Sequence, residues 1–316
     1  MLPSPQAVWR CVRLNWRVTR LALDRRWLGP SAYADGYDRV APAYDEAWQR
    51  HLRPVTDALL ARIPAGRGPG LVAMSESPSP HPSPPVAERV PAGHILDLGC
   101  GTGYTTARLA AEHPQSPVVG VDISRGMLAQ AGRRVPGTRV EWVCADMIAF
   151  LRGQADGSAA LVVSAWAIGY SQPARLIGEA ARVLMPGGVL AFVVNLRDTL
   201  APVFRAYRRC LAAFPGEVRL AARLHFPRDW PALERMLGRS GLVIAWHHDG
   251  LQPITPPVTA NGSMLSWLLQ TGVLAGFDAM LPLAEPGRVS AHFESLLRAD
   301  PESLHHHYAA AVARRP

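Results

Sequence analysis

The sequence predicts an α/β fold built on a doubly wound, mainly parallel sheet. Three observations predict it. Apolar runs of strand length recur at 94–99, 117–122, 139–145, 160–167 and 188–195. Helical periodicity fills intervals at 103–113, 124–135 and 173–185. The first strand also runs into a glycine-dense turn that opens a helix, "HILDLGCGTGYTTARLA" (94–110). Strands apolar on both faces need helices on both faces, and the doubly wound arrangement supplies them.

Taken in order, residues 8–28 place Val8, Val12, Trp16, Thr19, Leu23 and Trp27 at three- and four-residue spacings among six arginines. This is a basic amphipathic helix within a leader, 1–30. It suits packing on the main domain, peripheral contact with a membrane surface, or a transit peptide. Residues 31–65 read as further helix, with Tyr37 and Tyr44. The stretch 66–93 is dense in Pro, Ser and Gly, too poor in apolar residues to order itself, and reads as a flexible insertion. Residues 94–316 form the main domain, with further strands at 241–248 and 305–314 and helical inserts at 198–238 and 262–299.

Composition narrows the function classes. The 316-residue chain is 48% hydrophobic, enough for one full core with appendages. No apolar run approaches the roughly 20 residues that span a bilayer. Cys11, Cys100, Cys144 and Cys210 are scattered without a C-x-x-C pair, which disfavours a zinc site or disulfide framework and suits a reducing cytoplasm. All 33 basic residues are arginine, the stamp of a GC-rich, bacterial genome. Of the net charge of +8, the first 30 residues hold +5, six arginines against Asp24. The remainder is nearly balanced, so no nucleic-acid partner is expected.

The glycine turn carries the chemistry. A dinucleotide fingerprint, G-x-G-x-x-G, needs its third glycine at position 104, which is Tyr104. Here the glycines are Gly99, Gly101 and Gly103, and Asp97 just ahead of them would repel a phosphate. A carboxylate beside bare backbone suits a ligand that is cationic and has no phosphate, such as S-adenosylmethionine (SAM). In open parallel sheets ligands bind at the carboxyl ends of the strands, where Thr102 also lies. "VVGVDIS" ends its strand on Asp122, placed to accept ribose hydroxyls, while Ser124 is the better helix cap. "EWVCADM" ends on Asp146, placed to accept from an adenine amino group.

These motifs resemble those of the class I SAM-dependent methyltransferases, over about residues 35–248 and in their small-molecule branch. That branch includes the ubiquinone/menaquinone, trans-aconitate and malonyl-carrier-protein enzymes. "VVGVDISRGMLAQA" resembles their ribose strand, "LVVSAWAIGY" their fourth strand, and "EAARVLMPGGVLAF" their helix and turn into the fifth. The resemblance implies a Rossmann-like seven-stranded sheet of order 3-2-1-4-5-7-6 with strand 7 antiparallel. It implies SAM as cofactor and a cofactor-binding set that adds Cys100, Ile123, Met127, Ala145, Met147 and Ser164 to the residues above. "YDRVAPAYDEAW" is similar to the family's lid, so Tyr37 and Tyr44 join that set by analogy.

The implied activity is methyl transfer to oxygen or carbon of a small, apolar or lipid-like natural-product or quinone-type acceptor. The fourth strand ends "SAWAIGY" rather than in the N-P-P-Y type motif of amine methylation. Trp166 and Tyr170 are candidate acceptor walls, and His225 a candidate base as well as an acceptor contact; Tyr170 is a second catalytic candidate. His247, His305 and His307 are an alternative metal set if the last two strands pair. Two other classes remain open: an RNA methyltransferase, and a catalytically silent SAM-fold scaffold.

Overall fold

A computed structural model of the chain describes residues 5–64, 93–137, 139–222, 225–257, 263–300 and 302–316. The expected insertion lies, apart from Gly93, outside the described residues. The chain divides into two compact units. One contains residues 52–197, 225–251 and 307–316; the other contains 1–51, 198–224 and 252–306. These boundaries cut across the expected ones. Residues 225–238, expected in a helical insert, belong with the sheet, and the N-terminal helices group with the other insert segments.

The first unit is built on the seven-stranded sheet, in the order β3-β2-β1-β4-β5-β7-β6. Its strands are β1 (His94–Leu98), β2 (Val118–Asp122), β3 (Val140–Cys144), β4 (Ala159–Ala165), β5 (Leu184–Asn195), β6 (Val243–Pro253) and β7 (His305–Arg314). The pairs among β1 to β5 are parallel. β7 runs antiparallel to β5, from Val189 opposite Arg314 to Asn195 opposite Tyr308. Leu161, Val162 and Val163 of β4 and Val189 to Val194 of β5 are fully buried, as expected for strands covered on both faces.

Helices α3 (Arg50–Leu60), α4 (Tyr104–Glu112), α5 (Arg125–Arg134), α6 (Met147–Arg152), α7 (Pro173–Val183) and α9 (Trp230–Arg239) surround the sheet. Leu176, Ile177 and Ala180 of α7 and Leu233 and Leu237 of α9 join one core with Leu96, Val162 and Phe192, so residues 225–238 are held by the sheet. The P-G-G segment is a bulge within β5 rather than a turn ahead of it. Ala159 pairs Leu184, Leu161 pairs Val189, and the intervening residues loop out.

The second unit contains α1 (Pro5–Leu23), α2 (Pro30–Val40), a π-helical turn (Asp45–Gln49), α8 (Ala201–Ala213), α10 (Met264–Leu268), α11 (Phe277–Met280) and α12 (Arg288–Arg298). Its core is aromatic. Phe277 takes edge-on contacts from Tyr33, Phe204 and Tyr207 at 6.4, 5.7 and 5.7 Å. Buried Asp278 is paired with Arg39.

The leader helix docks by a different stripe from the one that its tryptophans mark. α1 meets its unit through Leu14, Val18 and Leu21, and Arg17 Nε donates to the Val218 carbonyl at 3.0 Å. Val12, Trp16 and Leu23, which the packing alternative would bury, are exposed together with Trp9.

Candidate cofactor and acceptor site

The glycine turn follows β1 at its carboxyl end. Gly99, Gly101 and Gly103 have φ of 70°, 54° and 79°, in the left-handed region where a Cβ is disfavoured. Two of them serve different purposes. A Cβ on Gly99 would lie 2.2 Å from the Ala167 methyl, so this glycine lets the turn approach the segment after β4. A Cβ on Gly101 would meet nothing within 4 Å, so its bare backbone faces open space.

Asp97 is fully buried beneath this turn. One oxygen accepts from Thr106 Oγ1 at 2.5 Å. The other, Oδ1, is buried and has no hydrogen-bond partner. Burial, reinforced by the nearby Asp122 carboxylate, pushes the Asp97 carboxyl up to about 7 against the opposing Thr106 bond. A cation placed here would satisfy the orphaned oxygen and hold the group ionised. The open Gly101 backbone and this oxygen together fit the ammonium end of SAM.

Asp122, at the end of β2, accepts from Gly101 N at 2.8 Å and from Ser124 N at 2.9 Å. It thus fixes the glycine turn. Ser124 caps α5, accepting from Met127 N at 3.0 Å. Asp146 caps α6 through Ala149 N at 2.9 Å and is half-buried, as are Ile123, Ala145 and Met147. Cys100, Thr102, Met127 and Ser164 are buried. Ser164 Oγ donates to the Leu98 carbonyl at 2.8 Å, tying β4 to β1, and the Thr102 carbonyl accepts from Arg134. Ser164 and Arg134 thus brace the turn from either end. Tyr37 and Tyr44 belong to the other unit, where their rings meet edge-on at 6.3 Å beside Gly272.

Trp166 follows β4 with φ of 68°, a conformation uncommon outside glycine. Its indole is nearly buried. Nε1 donates to Thr56 Oγ1 at 3.0 Å, and the ring meets Tyr308 edge-on at 5.8 Å. Tyr170 is half-buried and meets Phe226 edge-on at 5.8 Å, and the neighbouring His225 is exposed.

The alternative metal set is not assembled. His247 stacks flat on Trp230 at 4.2 Å, and His305 Nδ1 lies 3.2 Å from the Ser303 carbonyl. Among the described residues no three His, Cys, Asp or Glu side chains come together to hold a metal. β7 also begins with its imidazoles divided. His306 is buried in the second unit, edge-on to Trp48 at 5.1 Å, with Nδ1 3.2 Å from Thr199 Oγ1.

One residue of interest escaped the sequence reading. Arg53 of α3 lies over the Tyr104 ring, 4.9 Å from its centroid, at the start of the helix that the glycine turn opens. Its Nε is buried without a hydrogen-bond acceptor. The sequence places Arg53 and Tyr104 51 positions apart, and no local pattern links them.

Comparison with known proteins identifies the family. Residues 95–188 match the family model described as a methyltransferase domain. The chain is 30% identical over 219 residues to trans-aconitate 2-methyltransferase of Sinorhizobium fredii, covering 67% of this chain and 80% of that enzyme. It is 32% identical over 247 residues to the enzyme of the same name from Methylobacterium nodulans, covering 68% and 90%. A solved candidate methyltransferase from Bacillus halodurans C-125 shares the fold, with a TM-score of 0.50 at 18% identity over 71% of this chain and 93% of its own. The chain belongs to the class I SAM-dependent methyltransferases, in the branch that acts on small molecules.

Proposed function

We propose that the enzyme methylates an oxygen or carbon atom of a small acceptor with an apolar or planar face. The acceptor lies against the aromatic corner formed by Tyr170 and Phe226, with His225 beside it. The observation that carries this reading is the 5.8 Å edge contact of those two rings, which leaves Tyr170 half-exposed next to an exposed imidazole. The exposed part of the Tyr170 ring, backed by Phe226, suits a planar or lipid-like acceptor, such as a quinone-type natural product.

SAM supplies an electrophilic methyl group on a sulfonium. The protein's part is to align the reactants, and holding two in line can supply on the order of 7–11 kcal/mol. In this reading Asp97 pairs with the ammonium of the cofactor and Arg53 with its carboxylate. Asp122 accepts from the ribose hydroxyls, and Asp146 from the adenine amino group. Ile123, Ala145 and Met147 supply apolar contact beside the adenine. Trp166 shapes the floor from a fixed position, held by Thr56. When the acceptor is a hydroxyl, His225 takes its proton. Arg53→Met should weaken SAM binding roughly 10- to 100-fold, as the loss of a charge-assisted hydrogen bond predicts.

A second reading follows from the relatives named for trans-aconitate, a small polycarboxylic acid. A carboxylate acceptor is already ionised, so it needs no base. One experiment separates the two. The enzyme is incubated with methyl-labelled SAM and either trans-aconitate or a small-molecule cell extract. Label in a base-stable ether or C-methyl product, lost with His225→Ala when oxygen is methylated, supports the first reading. A base-labile ester formed equally well by His225→Ala supports the second. Label in neither pool overturns both.

A further inference from the structure

Helix α1 carries two apolar stripes, and the unit uses one. At 3.6 residues per turn, Trp9, Val12, Trp16 and Leu23 fall within about 60° of arc, opposite the docked Leu14, Val18 and Leu21. Their exposures are 68%, 52%, 63% and 78%, while Leu21 is 1% exposed. Docking of the inner stripe turns the outer one away from the unit's core.

We infer that this outer stripe is a docking face for an anionic bilayer surface. Charge selects the occupant. Pro5–Leu23 contains Arg10, Arg13, Arg17 and Arg20 and no acidic residue. Arg13 and Arg20 border one edge of the stripe, and the Arg20 guanidinium lies 5.6 Å from the centre of the Trp16 ring. Asp24 approaches Arg20 to 3.9 Å, an exposed pair worth little in water. Tryptophan and arginine together favour the headgroup boundary, where the ring enters the acyl region and the guanidinium meets phosphate.

Size selects it too. The stripe runs along about 20 Å of helix and is one side chain wide. Its four side chains expose on the order of 500 Å², less than the roughly 800 Å² per partner of a standard protein interface. No helix among the described residues is long and apolar enough to cross a membrane, so α1 would lie in the interface plane.

Vesicle co-sedimentation of the full chain tests this. Phosphatidylcholine vesicles are compared with vesicles that also contain phosphatidylglycerol, at about 0.1 M salt. Full-length protein should bind the anionic vesicles and leave the neutral ones in solution. Trp9→Ser/Trp16→Ser and, separately, Val12→Glu should each weaken that binding at least roughly tenfold, as should about 0.5 M salt. Because these side chains contact water, both variants should keep the thermal midpoint and SAM affinity of the parent. Three results would overturn the inference: no binding to anionic vesicles, binding unchanged in both variants, or a stripe-dependent dimer in vesicle-free sedimentation.

Discussion

The indole N–H of Trp166 donates to the Thr56 hydroxyl at 3.0 Å, and that hydroxyl in turn donates to the Leu52 carbonyl at 3.0 Å. This relay links the carboxyl end of β4 to α3, the helix that also bears Arg53. It also anchors a residue whose backbone sits in a costly conformation, as neighbours must when strain persists at a site. Thr56→Val keeps the shape and removes the acceptor of the indole N–H, which should cost about 1–3 kcal/mol. Denaturant unfolding should show the loss, and in Trp166→Phe the further Thr56→Val change should cost measurably less.

Gly101 and Gly99 should separate cofactor binding from folding. Gly101→Ala places a methyl in open space, at a backbone cost of about 1–2 kcal/mol for the left-handed conformation. The protein should therefore fold and lose SAM affinity, read by calorimetric titration. Gly99→Ala drives a methyl into Ala167 and should lower the thermal midpoint well beyond that. Unchanged affinity in folded Gly101→Ala would place the cofactor elsewhere.

The Asp97 carboxyl, pushed up to about 7, gives a pH dependence of definite sign. Between the usual carboxylate range and pH 7 the native state holds a proton that the unfolded chain has released. In the ligand-free protein this group therefore lowers stability as pH rises to 7. A bound ammonium favours the ionised form, so SAM affinity should rise with pH toward 7, by up to about tenfold per unit. Titration calorimetry between pH 6 and 8 should show the rise, and Asp97→Asn should bind more weakly with a flat profile.

His306 acts in the opposite direction. Burial, aided by His51 and His305, pulls its imidazole down to about 3. The native state keeps it neutral while the unfolded chain protonates near the ordinary histidine value. Its contribution is present above pH 6.5 and is lost as pH falls toward 3. His306→Asn should flatten the fall of the unfolding midpoint between pH 6.5 and 4, measured by thermal melts with near-ultraviolet dichroism.

Much of this architecture was legible because it is local. Strand-length apolar runs located β1 to β5 within a few residues, and the β7 range agreed with the observed His305–Arg314. The sheet order agrees with the one implied by the family resemblance. At the site, the glycine pattern and strand-ending acids stood out because the turn needs bare backbone at fixed spacing. The relay through Thr56, the position of Arg53 over Tyr104 and the bulge in β5 depend on distant packing, which periodicity does not encode. α1 was undecided for a different reason. Both of its stripes have helical spacing, so periodicity alone could not tell the docked one from the exposed one. The extent of β6 to Pro253 was missed because Asp249 and Gly250 break the pattern after the 241–248 run.

The position of β7 bears on how the protein is made. It enters the sheet between β5 and β6 but follows both of them in the chain. During synthesis β5 therefore remains an open edge, its Val189–Val194 backbone unpaired on that side, while more than a hundred further residues are added. β6 has no strand to join until β7 emerges. Such edges invite pairing with other chains. The nascent enzyme is thus most prone to aggregation just before its last strand is translated, and a ribosome stalled ahead of residue 305 would release a chain with its sheet unclosed.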